Sequence, residues 1–366
     1  MEGRRFIGID LGKRHYEACV LHAGEKVIRW SGSTSAAGRE ELAKKLEAGD
    51  VIGLEAGALS LVVARRLLQV EKVRVLVLHA AKLAVIYSSM RKTDKEDALK
   101  IARVLQNTAE ECLPVVRLPS EKEEEARRLS NHQIFFNRQR TQVINQIHAL
   151  CVENGLSEIT KKDLKNESGR MAVLEQTTGI YRELVENLCC ILATLEVRLA
   201  RIKERVLQAL LDRNAEAEIL MSIPGVGPMA ALAYLGFVGT EARFDNPAQV
   251  SYYVGMVPRV EMSGTSVYRM GHITKQGSPA LRRALVQAAW AAVRSPLGTN
   301  FRTVYNRIAE RRGKRIAIVA VARHMLELMY TLSVKHELYR FCTQEERLKK
   351  LRFYKLSSLG TEEILT

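Results

Sequence analysis

Cysteine is scarce and unpatterned in this sequence. Six cysteines occur in 366 residues (Cys19, Cys112, Cys151, Cys189, Cys190 and Cys342), with no Cys-x-x-Cys pair and no histidine at zinc spacing. That excludes a disulfide framework and a zinc site, and fits reduced thiols in a cytoplasm. Apolar runs are short as well, so no membrane span and no membrane partner are expected. The first residues, Met1 to Arg5, lead into a strand without the apolar stretch of a signal peptide. Repeats and low-complexity segments are missing too. Acidic residues are in deficit: 41 Asp and Glu face 56 Lys and Arg, a formal charge of +15. Such an excess argues for a polyanionic partner, nucleic acid ahead of membrane, and says nothing about fold. The length is enough for two or three units, each with its own core.

What is present starts with Phe6-Ile7-Gly8-Ile9-Asp10-Leu11-Gly12 and, after a short polar turn, Tyr16 to Leu21. These read as a β-hairpin with a lone carboxylate on its first strand. Lys26 to Ser31 gives a third strand. Gly38 to Leu46 has helical periodicity, Val51 to Leu54 is a buried strand, Leu59 to Leu68 a helix, and Val73 to Leu78 a β-branched strand. Helices follow from about Ala80 and over Lys95 to Leu105. Three strands and then alternating helices and strands predict a mixed sheet with helical crossovers, the layout of a ribonuclease-H-like nuclease domain. Glu55 ends the fourth strand, and Asp94 and Asp97 lie three apart on a helix. Together with Asp10 they make one candidate site of hard oxygen ligands, suited to Mg²⁺ or Mn²⁺. Two such ions can clamp the attacking and leaving oxygens of a phosphodiester. Arg91 and Lys92, beside the pair, would favour a bound phosphate. Taken alone, the pair Asp94 and Asp97 reads more readily as a solvated helix face, and Asp10 reads equally as a turn residue.

From Ser120 to about Asn154, Leu129, Ile134, Phe135, Val143, Ile144, Ile147 and Leu150 recur at helical spacing. A polar break at Ser157 to Gly169 precedes a second long helix, about Tyr181 to Leu211. Its Leu184, Leu188, Leu192, Leu195, Leu199, Ile202, Val206 and Leu210 are heptad-like. The pair predicts a coiled-coil hairpin or dimerisation arm.

Ile223-Pro224-Gly225-Val226-Gly227-Pro228 then reads as the turn of a helix-hairpin-helix. Pro228 suits a first helical turn, and Gly225 and Gly227 would let backbone N–H groups approach a phosphate. Beyond it, Arg259 to Ser278 is a glycine-, hydroxyl- and cation-rich loop. Arg269, His272 and Lys275 are candidate phosphate contacts, with Arg282 on the helix that follows.

These pieces, in this order, resemble the DEDD transposases of bridge-RNA-guided insertion sequences, relatives of the Piv-type DNA invertases. The N-terminal likeness lies in Ile7-Gly8-Ile9-Asp10, Leu54-Glu55-Ala56 and Lys92 to Ala98. The C-terminal likeness lies in Ile223 to Pro228, Gly255-Met256-Val257-Pro258-Arg259, Ser263-Gly264 and Ile273 to Gly277 with Leu281-Arg282. The chain departs from the family after Glu55, where Gly57 is followed by Ala58, Leu59 and Ser60 without the usual aromatic, and in lacking a proline near Leu78. The resemblance implies a RuvC-like nuclease domain (1–112), a coiled-coil region (113–214), a mainly helical transposase domain (215–340) and a basic tail (341–366). It also implies metal ligation by Asp10, Glu55, Asp94 and Asp97, and Ser263 as nucleophile. Its expected partners are DNA, a structured guide RNA and further copies of the chain as a dimer or tetramer, inside a bacterium or archaeon. A junction endonuclease using metal-activated water and a non-enzymatic DNA-binding protein are the alternatives.

Overall fold

A computed structural model describes residues 4–22, 27–80, 82–83, 94–263 and 267–356. They divide into two units, Met1–Leu118 and Pro119–Thr366.

In the first unit, β1 (Phe6–Leu11), β2 (His15–Leu21) and β3 (Val27–Ser33) form an antiparallel meander. Next come α1 (Ala36–Lys44), β4 (Val51–Glu55), α2 (Ser60–Leu67), β5 (Arg74–Leu78) and α3 (Asp94–Asn107). The sheet runs β3-β2-β1-β4-β5, with β4 parallel to β1 and β5 parallel to β4. The alternation of side chains along a strand sorts the two faces. Ile7, Ile9, Ile52 and Leu54 pack with Leu42, Val63 and Leu67 of α1 and α2. On the other face, Gly8 and Gly53 leave room for α3. A Cβ on Gly8 would stand 2.1 Å from the Ala98 carbonyl oxygen, and one on Gly53 would stand 2.8 Å from Ile101 Cγ2.

Register between the two central strands is pinned at their N-terminal ends. The Arg5 guanidinium donates to both oxygens of buried Asp50, at 2.7 and 2.6 Å, and the Val51 N–H donates to the Arg5 carbonyl at 3.0 Å. A bidentate pair of this kind has a fixed planar geometry, so it sets position as well as charge. The hydrogen bond that Arg5 donates to Asp50 is the main reason that the Arg5 pKa is raised.

The second unit begins with α4 (Glu121–Glu153), capped by a reciprocal Ser120–Glu123 box. After α5 (Glu167–Gln176) comes α6 (Gly179–Leu211). Ala126 shares a cluster with Val206 and Leu210, while Ile144, Ile147 and Leu150 share another with Val185 and Leu192. The two long helices are therefore antiparallel. Arg140 and Arg170 both reach Glu196, which ties α4 and α5 to α6. The predicted stripe shifts at the hairpin end: Leu184 is 41 % exposed and Val185 is buried. There the core is filled by Leu164 and Val173 from the connecting segment, so the face that α6 buries is rotated by about 100°. Phe135 also points outward, 53 % exposed.

The remaining helices are α7 (Asn214–Met221), α8 (Pro228–Phe237), α9 (Pro247–Val254), α10 (Pro279–Arg294), α11 (Thr299–Arg312), α12 (Lys314–Lys335) and α13 (Gln344–Phe353). Asn246 and Ser278 cap α9 and α10, each followed by proline at the first position. Two segments carry more structure than their composition suggests. By length and composition α12 is apolar enough to cross a membrane, yet Val321, Ala322, Met325, Leu326 and Met329 bury it in the core of this unit. The basic tail contains a packed helix: Leu351 and Leu356 are buried, and the Lys350 ammonium donates to the carbonyls of Met221 and Ile223 at 2.6 and 3.0 Å. Burial lowers the Lys350 pKa to about 8.

Candidate functional site

Ile9 pairs with Leu54 across β1 and β4, so Asp10 and Glu55 occupy the next equivalent positions of two parallel neighbours. Strands in a sheet lie about 4.8 Å apart, and residues two apart share a face. Asp10 follows Gly8, and Glu55 follows Gly53, on the face covered by α3. Glu17 of β2 lies directly opposite Asp10, which makes a row Glu17, Asp10, Glu55 across three strands. Glu17 escaped the sequence reading, because its face depends on the hairpin register and not on any motif.

Helix α3 brings position 94 one turn before Ala98, which rests on Gly8. The side chain of Asp94 lies outside the described residues, as do Arg91 and Lys92. Asp97 is half-buried and paired with Lys100 at 2.7 Å, so as placed its charge is already shared. Among the described residues no group of three or more His, Cys, Asp or Glu is assembled to hold a metal. The donors of Asp10 and Glu55 suit a hard cation.

The segment read as a loop around Ser263 is a β-ribbon. Strand β6 (Pro258–Ser263) pairs antiparallel with β7 (Val267–Ile273), with an irregularity between Pro258 and Val260. Alternation in Arg259-Val260-Glu261-Met262 and Val267-Tyr268-Arg269-Met270 is the period-2 signal that could have found it. Ser263 pairs with Val267 at the tip, and Pro258 with Ile273 at the base. The side chains of Ser263 and Arg269 lie outside the described residues. Position 269, opposite Glu261, is two residues from Ser263 along the ribbon. His272, exposed near the base, is five residues from Val267, about 17 Å at 3.3 Å per residue, and the exposed Lys275 follows beyond the end of β7. They cannot share one phosphate with Ser263 of the same chain.

Two further expectations acquire a different cause. Gly225, at φ +83°, packs against α10, where an added Cβ would lie 2.2 Å from the Ala288 carbonyl oxygen and 2.5 Å from the Ala292 N. Helices α7 and α8 flank this turn, and Gly225 serves a helix contact. Gly227 is the N-cap of α8 and borders a mostly apolar cleft of about 600 Å³ that also meets Lys203, Tyr354 and Lys355. Arg282 is not a free phosphate ligand: its Nη1 donates to the carbonyls of Val254 and Gly277, at 2.9 and 2.7 Å. Burial lowers its pKa. Gly225→Ala is expected to destabilise the second unit by about 2–4 kcal/mol, from strain at positive φ and overpacking together. Thermal unfolding checks this; a variant as stable as wild type but deficient in DNA binding would restore the phosphate role.

Two family models match the chain. Residues 7–155 match a family model described as a transposase of the DEDD, IS110 type, and residues 217–306 match the transposase IS116/IS110/IS902 family. The transposase for insertion sequence element IS1111A of Coxiella burnetii is 28% identical over 69% of this chain and 70% of its own length. A Pseudomonas aeruginosa protein named "Probable family 20 transposase" is 27% identical over 68% of this chain and 75% of its own. A pilin gene-inverting protein of Moraxella lacunata is 27% identical over 33% of this chain and 38% of its own.

Proposed function

We propose that this chain, which matches two transposase family models over residues 7–155 and 217–306, cuts and rejoins the DNA of an insertion sequence through Ser263, with Asp10, Glu55, Asp94 and Asp97 as metal ligands. The observation that carries the metal half is the register that sets Asp10 beside Glu55 under α3. The sheet order supports reading this unit as ribonuclease-H-like. When bound, divalent cations such as Mg²⁺ stabilise the oxygens entering and leaving the phosphorus. The four carboxylates hold that charge in place. The Ser263 hydroxyl attacks the phosphorus and loses its proton, an Oγ–P bond forms, and the bond to the sugar oxygen breaks as that oxygen takes up a proton. A hydroxyl of another strand then reverses the step, so the phosphodiester is resealed without ATP. Arg269 would stabilise charge on this phosphate, while His272 and Lys275 would serve neighbouring phosphates. The net charge of +15 suits both DNA and a structured guide RNA. Further copies of the chain associate through the outward apolar residues of α6, among them Ile180, Leu184 and Ile191.

Incubation of the full chain with DNA carrying the element ends and its flanking RNA tests the reading. Strand cleavage is expected with Mg²⁺ or Mn²⁺ and not after chelation. Cleavage of equal rate in excess chelator would remove the carboxylate site from the mechanism.

A further inference from the structure

The base of the ribbon carries two exposed tyrosines that the chemistry above does not use. Tyr252 and Tyr253, at the end of α9, are 56 % and 41 % exposed. They are held rigidly. The neighbouring Ser251 hydroxyl, fully buried, lies 2.8 Å from Glu327 Oε1, and Glu327 also accepts from Arg323. Gly255 ends α9 at φ +73°, and its carbonyl accepts from the Lys275 N–H at 3.0 Å. Gly277 lies so close that a Cβ there would stand 2.4 Å from the Tyr253 carbonyl oxygen. Arg282 bridges the same two strands of backbone. The tyrosines and the foot of the ribbon therefore move as one body.

The surroundings are cationic. Arg243 Cζ lies 4.7 Å from the Tyr253 ring centroid, and Phe244 packs beside it at 5.4 Å. Arg259, His272 and Lys275 are exposed on the ribbon's foot. Asp245, an acid of the same stretch, already accepts from Gln249. Tyr252 has no ring or cation stacked on it among the described residues. A rigid, open aromatic face among cations is what a nucleobase with its flanking phosphates requires: base stacking uses the ring, and the backbone uses the charge.

We propose that Tyr252 is a stacking platform for an unpaired DNA base a few nucleotides from the phosphate that Ser263 attacks, with Arg259, His272 and Lys275 holding the phosphates between. The inference rests on the reading of the ribbon as the DNA-handling element. It explains why cations stand about 17 Å from the serine: they follow the strand away from the reaction. A tyrosine reads no particular base, so the site fixes where the strand is opened and leaves sequence to other contacts.

The test uses the full chain and a single-stranded DNA oligonucleotide containing 2-aminopurine, beside a matched RNA oligonucleotide and a DNA duplex. Wild type is expected to quench the 2-aminopurine in single-stranded DNA, with binding that weakens steeply as salt rises. Tyr252→Ala should lose the quench and about tenfold in single-strand affinity, with little change for duplex, whereas Tyr252→Phe should keep both. Tyr252→Ala binding like wild type overturns the platform. So does Tyr252→Phe failing as badly as alanine, which would mean a hydroxyl contact, or a Tyr252-dependent quench confined to RNA. A wild-type chain that binds no nucleic acid sinks the proposed function as well; salt-dependent binding indifferent to Tyr252 sinks this inference alone.

Discussion

Ser263→Ala is expected to abolish strand exchange, by at least about a thousandfold, and to leave no covalent protein–DNA adduct. Removing a nucleophile typically costs more than any single binding contact, because the remaining groups then have no bond to form. The hydroxyl is a weak nucleophile at neutral pH and depends on a base or bound metal for activation. In wild type, stopping the reaction early with denaturant and digesting the protein should yield a phosphoserine peptide that contains residue 263. Ser266 is the competing hydroxyl. An adduct at Ser266, or full recombination by Ser263→Ala, would defeat the assignment. Nicked DNA with no adduct in wild type would point to metal-activated water and the junction-endonuclease chemistry.

The second large effect is expected from Asp10→Asn. Asparagine keeps the size and one oxygen of the side chain and removes the charge, so the sheet should stand while divalent-ion affinity falls. Loss of several kcal/mol of transition-state charge stabilisation corresponds to on the order of a thousandfold in rate. Cleavage and Mg²⁺ titration by calorimetry should change together, with the unfolding midpoint close to wild type. A variant that cleaves normally would remove Asp10 from the site. A variant with wild-type ion affinity but no cleavage would move it from ligand to another role. Asp94→Asn should behave alike. Asp97→Asn separates two possibilities, since releasing Lys100 without loss of cleavage would leave Asp97 as the ion-pair partner it is in this structure.

Much of the first unit was legible because its signals are local. Short apolar runs at Phe6 to Leu11 and Val51 to Leu54 indicate the strands within a residue or two, and the β-branched run indicates β5. The proximity of Asp10 and Glu55 was guessed from chemistry; the register that produces it is long-range, set by Arg5 and Asp50 at the far end of the strands. Glu17 was missed for the same reason. In the second unit the two long helices were plain from their period, but which face of α6 is buried near Leu184 depends on Leu164 and Val173 in a segment that reads as a polar break. The ribbon was hidden by its composition: glycine, serine and threonine suggested a loop, and the two-residue alternation beneath them was overlooked. Gly225 and Arg282 read as phosphate contacts because glycine and arginine near a helix start often are; only the packing against α10 and the carbonyls of Val254 and Gly277 distinguishes the internal role.

The bare positions at Gly8 and Gly53 tie the reaction to the docking of α3. Asp10 and Glu55 are set in register by the pairing of β4 with β1, and α3 packs on that sheet through the gap those glycines leave. On the proposed assignment, the last two carboxylates arrive with that helix. A partly made or locally opened chain would hold its acids apart, and could bind DNA through its charge without being able to cut it. On that assignment, the ability to cut DNA would depend on the helix being docked on the sheet, and would be lost wherever it lifts.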